Sequence, residues 1–267
     1  MKPETFDAST LAISIVSHGQ GALIRNLLQD LQPLVRAGAQ VLLTLNLPED
    51  ESSFAGLEEG VLVIRNPSPL GFGANHNQAC SHTTRRWFAV LNPDIRCDPA
   101  VFGVLTAALA TTGAGLVAPR VTAPDGRTED SARRYPSVPR IASRVVRRLR
   151  GERLPPDYAL EGSGEPVAVD WAAGMFLLFE SARFRAVGGF DTRYFMYLED
   201  ADICRRLGTA GRRTLVVPAV SVVHDARRAT GRSLRHLRWH LASMARFLFI
   251  APWTRGPRPL QAPVTTS

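Results

Sequence analysis

Trp87-Phe88-Ala89-Val90-Leu91-Asn92-Pro93-Asp94 reads as a short apolar strand that hands a carboxylate to its carboxyl end. Three similar runs precede it. Leu11 to Ser17 is apolar and β-branched, Gln40 to Leu45 follows Gly38, and Val61 to Ile64 makes the third. A helical pattern carrying Leu23, Ile24, Leu27, Leu28, Leu31 and Leu34 separates the first two. A second helical stretch starts near Ala74, after the Pro- and Gly-rich loop Asn66 to Asn75. Strands alternating with helices at this spacing predict an α/β fold, with a mainly parallel sheet and helices on both faces. Ligands of such sheets bind outside the carboxyl ends of the strands, where His18, Asn46, Asn66 and Asp94 fall.

Beyond Pro99 the rhythm loosens. A helix (Ala100 to Ala110) and a strand (Gly115 to Val121) lead into a polar region, Pro124 to Pro166, which reads as mobile loops around one short basic helix, Ile141 to Leu149. Val167 to Phe179 returns to strand character, and Glu199 to Leu207 reads as a helix. Thr214 to Val217 and Ser221 to His224 read as short strands. Ser233 to Ile250 closes the chain as a helix in which Leu234, Leu237, Leu241, Phe247 and Leu248 mix with Arg235, Arg238 and Arg246.

A chain of 267 residues that is 45% hydrophobic and 21% charged has enough apolar surface to bury a core, and suits one domain with two functional halves. The acids Glu4 and Asp7, and an apolar run limited to Leu11 to Val16, predict no signal peptide. No apolar run reaches the length of a membrane span, so a cytoplasmic or peripheral protein is expected. Cys80, Cys97 and Cys204 lie far apart with no CxxC spacing and read as buried apolar filling. The net charge of +8 is carried by arginine, since Lys2 is the only lysine. Arginine favours anionic partners such as nucleotide diphosphates, lipid headgroups or nucleic acid, and the charge total alone does not choose among them.

Four features carry chemistry. Asp94 at a strand end is placed to hold a hard divalent ion against phosphate oxygens, although an Asp there also serves as a turn former, as Asp98-Pro99 does. Leu70-Gly71-Phe72-Gly73-Ala74-Asn75 opens a helix and offers backbone N–H groups to an anion; a tight turn around a buried Phe72 fits equally well. Gly188-Gly189-Phe190-Asp191, then Phe195-Met196-Tyr197-Leu198-Glu199-Asp200-Ala201-Asp202, crowds three carboxylates at a helix start, which raises a carboxyl pKa toward general-base use; plain capping is the other role for Glu199 and Asp202. His224-Asp225 ends a strand, with Arg227 and Arg228 following.

In this order the motifs resemble glycosyltransferase family 2 with the GT-A fold, and within it the bacterial dTDP-rhamnosyltransferases. The matching residues are Asn66, Leu70-Gly71-Phe72-Gly73 and Asn75, then Leu91-Asn92-Pro93-Asp94 and Trp171-Ala172-Ala173-Gly174-Met175. The longest stretch is Val187 to Asp191 with Phe195 to Leu207, continuing to Val217-Pro218 and Val223-His224.

The resemblance implies a single Rossmann-like GT-A domain over 1–267: a nucleotide-binding half at about 8–98, an acceptor-binding and catalytic half at about 99–232, and a C-terminal helix at 233–250. It implies inverting transfer of a sugar, L-rhamnose from dTDP-rhamnose, to a hydroxyl of a bacterial cell-surface glycan or its lipid-linked precursor. Asp200 matches the catalytic base. Asp94 matches the surviving acid of the Asp-x-Asp metal motif, with Asn92 in place of the first acid, and His224 matches a position that helps hold the metal, Mg2+ or Mn2+, or the diphosphate. Ser17, His18, Asn46, Asn66, Gly71, Phe72, Gly73, Asn75, Asn92, Asp94, Arg227 and Arg228 fall on the donor side. Trp171, Ala172, Gly174, Met175, Glu199 and Asp202 fall by the sugar and acceptor. Ser17-His18-Gly19 and Leu45-Asn46-Leu47 depart from the usual base-reading positions, which leaves Asn46, Glu49 or Asp50 for the nucleobase and keeps a UDP- or GDP-sugar open. The arginine-rich stretch Arg133 to Arg153 matches no motif and is the expected seat of acceptor specificity.

Other classes are a basic nucleic-acid-binding protein and an inactive scaffold of the same fold. The first wants a recognition helix or interleaved surface aromatics, which are not evident, so no nucleic-acid partner is expected. Retention of Asp94, Asp200 and His224 argues against the second. The basic helix Ser233 to Ile250 also suits peripheral contact with the cytoplasmic membrane face, with Trp239, Phe247 and Trp253 at headgroup level and Arg144, Arg147 and Arg148 assisting; packing on the domain is the other reading of that helix.

Overall fold

The computed structural model describes residues 6–57, 59–152, 154–161, 164–225, 234–251, 254 and 256–261. In chain order the elements are β1 (Leu11–Ser17), α1 (Gly21–Arg36), β2 (Gln40–Leu45), β3 (Val61–Arg65), α2 (Phe72–Cys80), β4 (Trp87–Leu91), β5 (Ile95–Arg96), α3 (Ala100–Thr112) and β6 (Leu116–Thr122). Then follow β7 (Ala132–Arg133), α4 (Val138–Leu149), β8 (Val167–Val169), β9 (Trp171–Ala172), β10 (Phe176–Glu180), α5 (Ser181–Ala186), α6 (Glu199–Thr209), β11 (Thr214–His224) and α7 (Leu234–Ala245), which runs into a π turn at Arg246–Ile250.

The described strands make one mixed sheet in the order β3-β2-β1-β4-β10-β6-β11-β5, with β8 also on β11, while β7 and β9 pair separately. β3, β2, β1 and β4 are parallel, joined by the crossovers that α1 and α2 provide. β10 is antiparallel to both β4 and β6, and β11 is parallel to β6. Every long strand except β10 therefore ends at one edge of the sheet, and β10 starts there. That edge collects Ser17, Asn46, Asn66, Asn92, Asp94 and His224 from carboxyl ends, and Gly174 and Met175 from the approach to β10.

Alternation within the strands sends side chains to two cores. Leu11, Ile13 and Ile15 of β1 join Ile24, Leu27, Leu28 and Leu31 of α1, together with Phe102 and Leu105 of α3. Ala12, Leu42, Phe88 and Val90 point the other way, onto Ala79 and Cys80 of α2, Phe184 of α5 and Ile203 and Leu207 of α6. All three cysteines are buried and free, as apolar filling requires.

Several elements differ from the sequence reading for local reasons. The basic helix starts at Val138, because the Ser137 side chain caps it by accepting the Arg140 N–H. The surrounding polar region also contains β7 and is fastened by buried acids. The Asp157 carboxylate accepts the Arg134 N–H (3.0 Å), and Asp170 accepts the Tyr135 N–H (2.8 Å) and the Tyr158 hydroxyl (3.0 Å). The two short strands after Arg213 are one strand, β11, whose register shifts between Val217 and Ser221, where Pro218 has no N–H to give. Phe247, expected at a membrane surface, is 3% exposed and packs in the second core.

The turn before α6 depends on glycine. Gly188 and Gly189 have φ of +82° and +60°, and a Cβ on Gly189 would collide with Asn77 Oδ1 and come within 2.7 Å of Leu260. The Asn77 amide accepts the Phe190 N–H (2.9 Å) and donates to the Phe190 carbonyl (2.8 Å). Gly126 has φ of +82° with nothing nearby. Gly126→Ala should therefore cost about 1 kcal/mol, from backbone strain alone. Gly189→Ala adds displacement of packed atoms and should cost roughly 2–4 kcal/mol. Urea unfolding of both variants checks this; equal losses would show that the Asn77 contact carries no weight.

Candidate active site

On the donor side three buried asparagines bond one another, and Asn66 Oδ1 is buried without a partner. Asn66 Nδ2 donates to Asn46 Oδ1 (2.9 Å) and Asn75 Oδ1 (2.6 Å). Asn46 also accepts the Leu70 N–H (2.8 Å) and donates to the Leu70 carbonyl (3.0 Å), while Asn75 donates to the Gly71 carbonyl (3.1 Å). The set clamps the loop that leads into α2. Gly71 and Gly73 permit close packing: a Cβ on Gly71 would strike the Phe195 carbonyl, and one on Gly73 would sit 2.5 Å from Phe190 Cβ. The Phe72 N–H already donates to the Phe195 carbonyl (3.0 Å), and the half-buried Phe72 ring meets Phe190 edge-on. Here the glycines bring the segment before α6 against the start of α2. Ser17 donates to Glu49 (2.8 Å), and the exposed His18 approaches Asn46 at 3.3 Å.

At the end of β4, Asp94 meets His224, the last residue of β11. His224 Nε2 lies 3.2 Å from Asp94 Oδ2, and its Nδ1 lies 2.9 Å from Glu129 Oε2. The hydrogen bond and charge of Asp94, joined by Glu129 and outweighing burial, push the His224 pKa up to about 9. The imidazole thus keeps its proton near neutral pH, and ligating a metal through Nε2 requires losing it. The other oxygen, Asp94 Oδ1, is buried without a hydrogen-bond partner. One free carboxylate oxygen fits a Mg2+ or Mn2+ ion that takes most of its ligands from phosphate and water. Among the described residues no three such side chains form a ready-made metal cage.

The acidic segment lies on the other side of the β9–β10 turn. Asn92 N–H donates to the Met175 carbonyl (2.9 Å), and Gly174 N–H donates to Asp200 Oδ2 (2.9 Å), so a short backbone link joins the two sets. A Cβ on Gly174 would sit 3.1 Å from the Phe72 ring and 3.6 Å from that oxygen. Asp200 Oδ1 accepts the Ala201 N–H (2.8 Å). Tyr197 and Leu198, with φ of 73° and 65°, hold a left-handed backbone that most residues avoid, and so set Glu199 and Asp200 at the first turn of α6.

Both carboxyls are raised. Burial raises Asp200, with backbone N–H bonds and the Arg133 charge opposing it; burial and then the Asp200 charge raise Glu199 well above the ordinary range. Glu199 Oε2 has no partner. Backbone N–H groups favour the charged form of Asp200, while burial and the Asp200 charge disfavour that of Glu199. Asp200 and Glu199 line a cavity of about 440 Å³ together with Trp171, Tyr197 and arginines of the β7–α4 region. Trp171 Nε1 donates to the Arg134 carbonyl (3.0 Å), and the Arg133 guanidinium lies 5.3 Å over its ring.

The cavity does not include every expected residue. Asp202 is 2% exposed and turned away, bound to Arg205 (3.1 Å) and Arg206 (2.7 Å). Ala172 is buried in the β7–β9 pair. Arg227 and Arg228 lie outside the described residues. Glu129, Asp130 and Asp157 escaped sequence reading because a lone acid in a loop has no periodic or motif signal; the arginine run was the only flag nearby.

Two variants separate these roles. A carboxyl whose folded pKa is raised contributes stability below its unfolded value, and loses it as pH rises toward the folded value. Glu199→Gln removes that loss. Its stability relative to wild type should rise as pH climbs above 4.5, by about 1.4 kcal/mol per pH unit until Glu199 ionises. Unfolding at several pH values checks this, and a flat difference contradicts it. Asp202→Asn should instead destabilise by about 3 kcal/mol at neutral pH, because Arg205 and Arg206 lose a buried partner.

Comparison with known proteins agrees with this layout. Residues 45–170 match the model of Glycosyl transferase family 2. The chain is 31% identical over 271 residues to the N-acetylglucosaminyl-diphospho-decaprenol L-rhamnosyltransferase of Mycobacterium tuberculosis (strain ATCC 25618 / H37Rv), covering 92% of this chain and 87% of that one. It is 29% identical to rhamnosyltransferase WbbL of Escherichia coli (strain K12), covering 88% and 91%. Among solved structures, GalNAc-T7 with UDP, GalNAc and Mn2+ superposes with a TM-score of 0.62 at 16% identity, over 84% of this chain; the chain spans 45% of that protein's length. The chain belongs to glycosyltransferase family 2 and is a glycosyltransferase of the GT-A fold.

Proposed function

We propose that this enzyme transfers L-rhamnose from dTDP-rhamnose to a hydroxyl of a lipid-linked saccharide of the N-acetylglucosaminyl-diphosphate type, a precursor of a bacterial cell-surface glycan. The observation that carries the transfer chemistry is Asp200, whose two oxygens rest on backbone N–H groups at the wall of the cavity. The names of both relatives support the sugar, and that of the Mycobacterium tuberculosis relative supports the acceptor class. The half at about 8–98 takes the nucleotide, and the half at about 99–232 takes the acceptor.

In this reading Asp200 accepts the acceptor proton as the hydroxyl oxygen bonds to the anomeric carbon and the bond to the donor diphosphate breaks. Base assistance of this kind contributes ~10²–10⁴ in rate. Glu199 stays neutral, so the pair presents one base. Trp171 and Tyr197 wall the acceptor, and the protonated His224 faces the departing diphosphate beside Asp94. A Mg2+ or Mn2+ ion held through Asp94 Oδ1 supplies further charge for the leaving group when bound. Asp200→Asn should cut turnover by at least ~10² with donor affinity nearly unchanged, whereas Glu199→Gln should retain most activity. Thermal-shift titration with dTDP, UDP and GDP, each with and without Mg2+ or Mn2+, tests donor and metal together. The largest shift from UDP or GDP would replace the donor assignment, and near-wild-type turnover by Asp200→Asn would remove the base.

Among the described residues no helix is long and apolar enough to cross a membrane. Peripheral contact with the inner face of the cytoplasmic membrane has a surface to use. Leu234, Leu237 and Leu241 of α7 are 79%, 54% and 59% exposed, and Leu149 of α4 is 83% exposed. Both helices border the cavity, through Val145 and through His240 and Met244. Trp239 stacks on Phe195 at 4.7 Å, and Trp253 lies outside the described residues, so the leucines are the membrane anchors in this reading. Leu237→Asp with Leu241→Asp should abolish flotation with anionic liposomes while leaving the fold intact; wild type that does not float at low salt removes the membrane contact.

A further inference from the structure

Five arginines line the cavity over Asp200: Arg133, Arg134, Arg140, Arg144 and Arg148. Against five guanidinium groups stand the carboxyls of Asp130, Asp200 and Glu199, so the space is cationic on the side that faces the proposed base. Arg134, Arg140 and Arg144 also line a neighbouring cavity of about 530 Å³, so this set of guanidinium groups is open on two sides.

The groups are held in place without being used up. Asp157, whose side chain is 5% exposed, pairs with Arg140 and lies 3.5 Å from Arg144. The Asp130 carboxylate lies 3.4 Å from Arg133 and 3.6 Å from Arg144, beyond good hydrogen-bond length, while Arg133 Nε donates to the Asp130 carbonyl (2.6 Å) and leaves its terminal N–H groups for a ligand. Arg140 Nε is buried without a partner, and Arg148 has no carboxylate partner among the described residues. Each guanidinium carries five N–H donors in a fixed fork, so many donors remain for a ligand. The donor side is separate: it gathers around Asp94 and His224, beyond the β9–β10 turn.

We infer that Arg133, Arg140, Arg144 and Arg148 form a second phosphate site, which grips the phosphate or diphosphate linker of the acceptor and so sets the acceptor hydroxyl against Asp200. The inference rests on the acceptor class proposed above. Forked N–H pairs match phosphate oxygens, and a fold that has already oriented them spends little entropy on binding. The linker would lie under α4, with the lipid leaving toward the exposed leucines.

Calorimetric titration with inorganic pyrophosphate in excess Mg2+ tests this without any turnover. Wild type should bind two equivalents, one of which saturating dTDP displaces. The other should weaken about tenfold in Arg148→Ala, which breaks no described ion pair, and about a hundredfold in R144A/R148A, with dTDP affinity unchanged. A single equivalent lost to dTDP, or two equivalents unaffected in the arginine variants, overturns the inference. If dTDP displaces neither while the variants still lose one, the donor assignment fails and the second site stands.

Discussion

The hydrogen bond from the Gly174 N–H to Asp200 Oδ2 ties the two halves of this site together. Gly174 precedes β10, the one long strand that runs against its neighbours, so this bond can form only because β10 begins where the others end. A residue without Cβ suits it, since a Cβ on Gly174 would sit 3.1 Å from the Phe72 ring on the other side. Phe72 is placed by its own N–H bond to Phe195, and that approach requires Gly71. Two glycines and one aromatic ring thus bring the loop before α2, the turn before β10 and the first turn of α6 to one point.

The charges are arranged to match. Burial raises both carboxyls of the Glu199–Asp200 pair, and backbone N–H groups and the Arg133 charge oppose that rise at Asp200. Positive charge is placed in two blocks, His224 beside Asp94 and the arginines of β7 and α4. Two cationic regions on either side of the proposed base suit the proposed reaction, which joins two phosphate-bearing substrates and releases one diphosphate. Asp202 and Asp191 have a different task. Asp202 anchors Arg206, which reaches the Gly189 carbonyl, while Asp191 pairs with Arg193 and Arg246, so the acids of this segment that lie away from the cavity hold the α6 turn in shape.

Much of the fold was legible because its central strands are buried on both faces. β1, β2 and β4 have the limits their apolar runs predict, since an uninterrupted run of this kind has few other folded states. The two-residue strands β5 and β7 carry no periodicity and were invisible. Motif order singled out Asp94, His224 and Asp200, and the structure sets Asp94 against His224 and Asp200 at the cavity wall. Arg133 was flagged only as the start of the arginine-rich stretch, and Glu129 not at all, because a loop acid is identical in sequence to a solvated one. The asparagines show the converse. Asn46, Asn66 and Asn75 stood out as polar residues at strand and helix ends, yet their amides hold a loop. Phe247 misled for a related reason: a helix that is apolar on one face and basic on the other looks the same whether that face meets lipid or a core.

The most direct test of the account is the anomeric configuration of the product, read by NMR from the C1–H1 coupling of the new linkage. A single displacement with Asp200 as base, and no covalent intermediate on the enzyme, predicts that the configuration is inverted relative to the donor sugar. A product that keeps the donor configuration would require a second displacement and would contradict the assignment of Asp200.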